Sequence, residues 1–84
     1  MGKYAKVYAH IMTRRSDSNV PFDDLCVLLT RLGFERRMRG DHHIFTMEGV
    51  EEIVNVQPKN GMAKAYHVKQ IRDLLLKYKL RMED

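Results

Sequence analysis

Phe34-Glu35-Arg36-Arg37-Met38-Arg39-Gly40-Asp41-His42-His43-Ile44-Phe45-Thr46-Met47 is the stretch in which the hydrophobic period changes from about 3.6 residues to two. Residues 34–39 alternate as one strand, and Gly40-Asp41 supplies a tight connection. Residues 42–47 form a second strand, with Ile44, Phe45 and Thr46 as good strand formers. Glu48-Gly49-Val50-Glu51-Glu52 is expected to turn. Ile53-Val54-Asn55-Val56 makes a third strand that stops before Pro58. Three strands linked by short turns can pair only as an antiparallel meander.

On either side the spacing is helical. Upstream, Phe22, Leu25, Cys26, Leu29 and Leu32 form a core-facing stripe. Pro21 suits the opening of that helix, Asp23 and Asp24 favour its N-terminal dipole, and Gly33 supplies a left-handed closing residue. Before it, Ala5 to Arg15 reads as a shorter helix carrying Val7, Tyr8, Ile11 and Met12, ended by the polar turn Ser16-Asp17-Ser18-Asn19. Downstream, Pro58-Lys59-Asn60-Gly61 has strong turn chemistry. Val68, Ile71, Leu74, Leu75 and Tyr78 then define a last amphipathic helix ending near Leu80. The order helix, helix, three strands, helix predicts an α+β fold, with a three-stranded antiparallel sheet and helices packed on one face. The other face is left to solvent. This order of elements is also that of double-stranded-RNA-binding domains, a likeness of fold alone.

The chain has 84 residues, 44% hydrophobic and 31% charged, which suits one small globular domain. No apolar run approaches the ~18 residues that cross a bilayer, and Gly2-Lys3-Tyr4-Ala5-Lys6 after Met1 lacks a signal-peptide core. Lys6 stands where an N-myristoylation motif needs a hydroxyl residue. Cys26 is the sole cysteine, so no intrachain disulfide can form, and a cytoplasmic location with no membrane partner is expected. The net charge is +4. Residues 1–52 balance acids against bases, so the excess comes from Lys59, Lys64, Lys69, Arg72, Lys77, Lys79 and Arg81 in the last third. Positive charge concentrated in this way attracts polyanions, of which nucleic acid is the commonest, although a solvated helix face looks the same in composition.

On the third strand the two valines are the better core pair, which turns Asn55 outward. On the middle strand Ile44 is favoured as the inward residue, which turns His43 and Phe45 outward. An exposed imidazole beside an exposed aromatic ring is a candidate nucleotide site, because the ring can stack a base and the imidazole titrates near neutrality. His42 and His43 are adjacent on a strand and so point to opposite faces, and no Cys–His or His–Glu spacing accompanies them. Neither a metal nor a small-molecule cofactor is expected. Cys26 lies in a core stripe with no base to activate it, and the chain has no phosphate loop, nucleophile elbow or paired-carboxylate pattern.

Leu32-Gly33-Phe34, Gly40-Asp41-His42-His43-Ile44-Phe45, Asn55-Val56-Gln57-Pro58 and the segment Lys64 to Arg72 together resemble the HicA family. HicA proteins are small toxins of type II toxin–antitoxin systems, with a double-stranded-RNA-binding-domain-like fold and a histidine that cuts messenger RNA. The resemblance covers about residues 18–80, leaving residues 1–17 as an N-terminal helical extension to a HicA-like domain at 18–84. It implies that His43, at the family's catalytic position, cuts mRNA; an imidazole titrating near working pH suits a general base, and a shallow sheet suits single-stranded RNA. It also implies a HicB-like antitoxin as protein partner. Lys59, Lys64 and Lys69, with Arg36 or Arg39, are expected to hold phosphates, and Gly40, His42 and Phe45 to line the same RNA site. Asp41 departs from the family's usual serine, and Ala65 and His67 depart from the expected Pro and Gln. A carboxylate at position 41 could repel RNA or hold a histidine charged. It keeps open a second function, a non-catalytic RNA-binding module of the same fold. A protein-only adaptor using the N-terminal helix is a third, weaker reading.

Overall fold

The structure, a computed structural model, describes residues 2–13 and 17–82. Its elements are α1 (Lys3–Met12), α2 (Phe22–Arg31), β1 (Glu35–Arg39), β2 (His42–Met47), β3 (Val50–Val56) and α3 (Ala65–Lys77). The strands form one antiparallel sheet in the order β1-β2-β3, and the helices pack on one of its faces. The α+β architecture expected from the sequence is therefore the one formed. The first helix starts at Lys3 rather than Ala5 and already ends at Met12, capped by Thr13, while the expected end at Arg15 and the first turn residue, Ser16, lie outside the described residues.

Helix α2 buries Phe22, Leu25, Cys26, Leu28 and Leu29. It closes as the sequence suggests. Gly33 takes φ +111°, its N–H donates to Thr30 O at 3.1 Å, and Phe34 N–H donates to Leu29 O at 3.1 Å. These are the two bonds of a Schellman cap. Helix α3 closes with the same pair, Lys79 N–H to Leu76 O and Leu80 N–H to Leu75 O, but with Lys79 at φ +54° in the position glycine usually takes.

One strand boundary differs from expectation. Val50, Glu51 and Glu52 belong to β3, so the connection from β2 is the two-residue turn Glu48-Gly49, with Gly49 at φ +89°. The reason lies in α3. Glu52 accepts hydrogen bonds from Lys77 Nζ at 2.8 Å and Tyr78 Oη at 2.6 Å, while Glu51 N–H donates to Tyr78 Oη at 3.3 Å. The end of α3 thus holds the start of β3 extended.

A single core joins Leu25, Leu28 and Leu29 of α2, Phe45 of β2, Val54 and Val56 of β3, and Val68, Ile71 and Leu75 of α3. Ile11 of α1 is fully buried in the same cluster, so the N-terminal helix shares the core of the rest. Two polar ties reinforce its docking. Tyr8 Oη donates to Leu80 O at 2.7 Å, and the buried Arg72 of α3 pairs with Asp17 and donates to Ile11 O at 3.4 Å. A loop also locks the two functional helix starts together. Phe22 N–H donates to Gly61 O at 3.0 Å and Ala63 N–H to Val20 O at 2.8 Å. No helix among the described residues is long and apolar enough to cross a membrane.

Candidate functional site

Sheet register decides which way each β2 side chain points, because directly paired residues share a face. Phe45 pairs with Arg36 and with Val54, and His43 pairs with Met38 and with Val56. Val54 and Val56 are core residues, so His43 and Phe45 stand on the helix-covered side. This corrects the expected alternation. Phe45 is 0% exposed and forms part of the core, so it cannot stack a base. Ile44 faces the open side, half-buried, opposite Arg37 and the exposed Asn55.

His43 shares the side of Phe45 but not its burial. No helix covers β1, whose five residues are all exposed, so the helix side of the sheet is open at this corner. His43 is half-buried in the angle between β1 and the start of α2. Its ring meets the edge of Phe22, with centroids 4.7 Å apart and planes at 76°. Arg36 Nη2 lies 2.6 Å from His43 Nδ1. A guanidinium only donates, so Nδ1 accepts and the neutral ring carries its proton on Nε2. Burial and then the Arg36 charge push the His43 pKa below 6.5, while Asp23 and Asp41 partly oppose them. The imidazole is a neutral base at physiological pH.

The remaining expected residues divide. Arg36 shares the face of His43, whereas Arg39 pairs with His42 and points to the opposite side. His42 is also on that open side, its Nδ1 3.0 Å from Asn55 Oδ1, and so does not join the His43 site. The physical cause is the period of two along a strand. Gly40 lies exposed in the turn that begins β2. Beside it, Asp41 accepts a hydrogen bond from Gln57 Nε2, which together with its own backbone and nearby charges holds its carboxyl below the ordinary value. Asp41 is thus an ionised group tied across to the end of β3.

Lys59 and Lys64 come together with Gln57, Pro58, Ala65 and Tyr66 around a cleft of about 610 Å³. The cleft opens one residue past Val56, the β3 partner of His43. Lys69 is not part of it. One to two turns along α3, it pairs with Asp73 at 3.7 Å and helps to lower the Asp17 carboxyl, so it faces the α1 side of the molecule.

Tyr66 and Asp23 are site residues that sequence reasoning passed over. Tyr66 falls off the apolar stripe Val68-Ile71-Leu75, and that misfit is the signal that could have flagged it. Asp23 reads in the sequence only as a helix-dipole residue. Cys26 is buried and its thiol is pushed up to about 11, chiefly by burial, which leaves it inert. Among the described residues, no three His, Cys, Asp or Glu side chains converge as metal ligands. No family model, curated protein or solved structure significantly matches this chain.

Proposed function

We propose that this chain is an endoribonuclease of the HicA mRNA-interferase type, cleaving single-stranded mRNA through His43 without a metal. The observation that supports the reading best is the pairing of a neutral, half-buried His43 with the Arg36 guanidinium, beside a cleft lined by two lysines. RNA carries its own nucleophile, so the protein must only take the 2′-hydroxyl proton, align the oxygen with phosphorus and stabilise the added negative charge. An incoming phosphate competes for Arg36 with a charge-assisted, bidentate contact that the neutral imidazole cannot match. Arg36 moves onto the phosphate, and His43 Nδ1 is released to accept the 2′-hydroxyl proton. The O2′–phosphorus bond forms, the phosphorus–O5′ bond breaks, and the leaving 5′-oxygen takes a proton from water. The products are a 2′,3′-cyclic phosphate and a 5′-hydroxyl end.

A protein of this type is kept harmless by a HicB-like antitoxin, whose acidic groups would complement Arg36, Lys59 and Lys64. Asp41 favours the second reading, a non-catalytic RNA-binding module, since it sets an ionised carboxylate two residues from the base. Incubation with single-stranded RNA in excess EDTA separates the two. The nuclease reading expects cleavage by the wild type and a loss of about 10²–10⁴-fold in His43→Ala. Equal rates for both proteins remove His43 from the mechanism, and binding without turnover by either favours the module. Co-purification of a co-expressed neighbouring protein with this chain tests the antitoxin.

A further inference from the structure

The cleft of about 610 Å³ beside α3 falls within the ~300–1,000 Å³ usual for small-ligand sites. Its polar lining consists of two lysines and one glutamine, with no acid among the described residues that line it. Asp41, bonded to the lining Gln57, sets one carboxylate against the two lysines, so the cleft keeps a positive excess that suits an anionic ligand. Tyr66 stands at this cleft with 63% of its surface exposed, a level reached by few large apolar side chains of this chain.

The Tyr66 ring is nevertheless held in place. It rests against the buried His67 ring, with centroids 4.2 Å apart and planes at 56°, and Lys64 Nζ lies 6.0 Å from its centroid. The backbone of Lys59 is fixed as well. It exchanges two hydrogen bonds with Met62, at 2.9 and 3.0 Å, which close the loop into a tight bridge. An aromatic plane with the Lys64 ammonium beside it, on a loop whose Lys59 backbone is fixed, makes a preorganised binding surface. Phe45, the aromatic that the sequence offered for stacking, is in the core, and Tyr66 is an exposed ring in the cleft that begins at Gln57, next to the strand partner of His43.

We propose that this cleft is a nucleotide subsite, in which one base of a single-stranded RNA stacks on Tyr66 while the flanking phosphates rest on Lys59 and Lys64. The inference rests on the RNA reading above and adds to it where the neighbouring nucleotide goes. Adjacent strands are about 4.8 Å apart, and Gln57 follows the strand partner of His43. Its amide also bonds Asp41, two residues before His43. A strand with one phosphate at His43 and Arg36 thus delivers its next base to the cleft. Stacking of this kind tolerates every base, so the subsite contributes affinity and direction rather than sequence choice.

The chain contains no tryptophan, so Tyr66→Trp introduces a sole indole reporter. In a His43→Ala background that removes cleavage, titration with a single-stranded oligouridylate at low salt should quench its emission saturably. Inorganic phosphate and poly-glutamate at equal charge should not. With native Tyr66 in the same His43→Ala background, Tyr66→Ala should weaken oligouridylate binding about 5- to 150-fold, while Tyr66→Phe stays near the Tyr66 protein. Unquenched emission, or quenching by poly-glutamate as strong as by RNA, overturns the subsite; the second result points to an acidic protein partner. Tyr66→Ala binding equal to that of the Tyr66 protein also overturns it. Should Tyr66→Ala fail to fold, the tryptophan titration decides alone. Quenching with no cleavage by the wild-type chain would keep the subsite and sink the nuclease. Cleavage with no quenching would do the reverse.

Discussion

His43 owes its character to neighbours of three kinds. Phe22 removes water from one side of the ring, Arg36 supplies a positive charge at Nδ1, and Asp23 and Asp41 pull the other way more weakly. The first two both disfavour the imidazolium, so the folded pKa lies below 6.5. A base with a lowered pKa is deprotonated above that value. Cleavage should therefore be level at pH 7 and fall as the pH drops through the lowered His43 midpoint, below 6.5. Removing the guanidinium in Arg36→Gln takes away one of the lowering causes, and the His43 midpoint should rise toward 6.5. A ring-proton NMR titration reads this directly, and an unmoved or lowered midpoint in Arg36→Gln would show that the contact does not set the ring's protonation.

At the scale of elements, helix caps and hydrophobic stripes were legible in the sequence, and strand facing was not. Gly33 marked the end of α2 correctly, because only a left-handed residue completes the two cap bonds there. On β2 each alternating set offers one large apolar side chain, Ile44 or Phe45, so composition alone does not decide the face. A five-residue turn over 48–52 registers Ile44 with Val56 and sends His43 outward. The actual two-residue turn pairs Met47 with Val50, and a bulge between Phe45 and Met47 shifts the register so that His43 pairs with Val56. Changing the register by one residue moves every side chain to the other face. The missing information was tertiary, since Lys77 at the end of α3 and Tyr78, its C-cap, hold Glu52 in the strand. Tyr66 and the cleft were hidden for a like reason, as the loop and α3 meet only in the folded chain. The two caps give a prediction of opposite sign. Lys79→Gly relieves left-handed strain and should stabilise by about 1 kcal/mol, raising Tm by about 4–8 °C. Gly33→Ala imposes it, and its new Cβ meets Met47 Cε at 3.3 Å, so a loss of about 1–3 kcal/mol is expected. Thermal melts of both variants check the pair.

For the molecule as a whole, the N-terminal helix is bound into the core through Ile11 and through the Arg72–Asp17 pair. Arg72 is 5% exposed while Asp17 keeps partial access to water, so Arg72→Ala should cost about 2–3 kcal/mol, below the figure for a wholly buried pair. Chemical denaturation measures it. Acid should weaken the fold through Glu52, whose carboxyl is lowered from 4.5 to about 2 by the hydrogen bonds from Lys77 and Tyr78. A lowered carboxylate stabilises above its unfolded value, and that contribution disappears as the pH falls from 4.5 toward 2. In Glu52→Gln the melting temperature should be lower at pH 7 and depend less on pH across that window. The proposed RNA binding carries its own salt dependence. Phosphate contacts from Arg36, Lys59 and Lys64 predict that log K for single-stranded RNA falls with log salt at a slope of about −2.

The chemistry of the cut ends tests the mechanism most directly. Fragments released from single-stranded RNA in EDTA should carry 2′,3′-cyclic phosphates and 5′-hydroxyls, and substrate with a 2′-deoxyribose at the cut position should bind but stay whole. Fragments bearing 5′-phosphates, or cleavage of the deoxy-substituted strand, would mean that water rather than the ribose attacks phosphorus and that His43 does not do the work assigned to it.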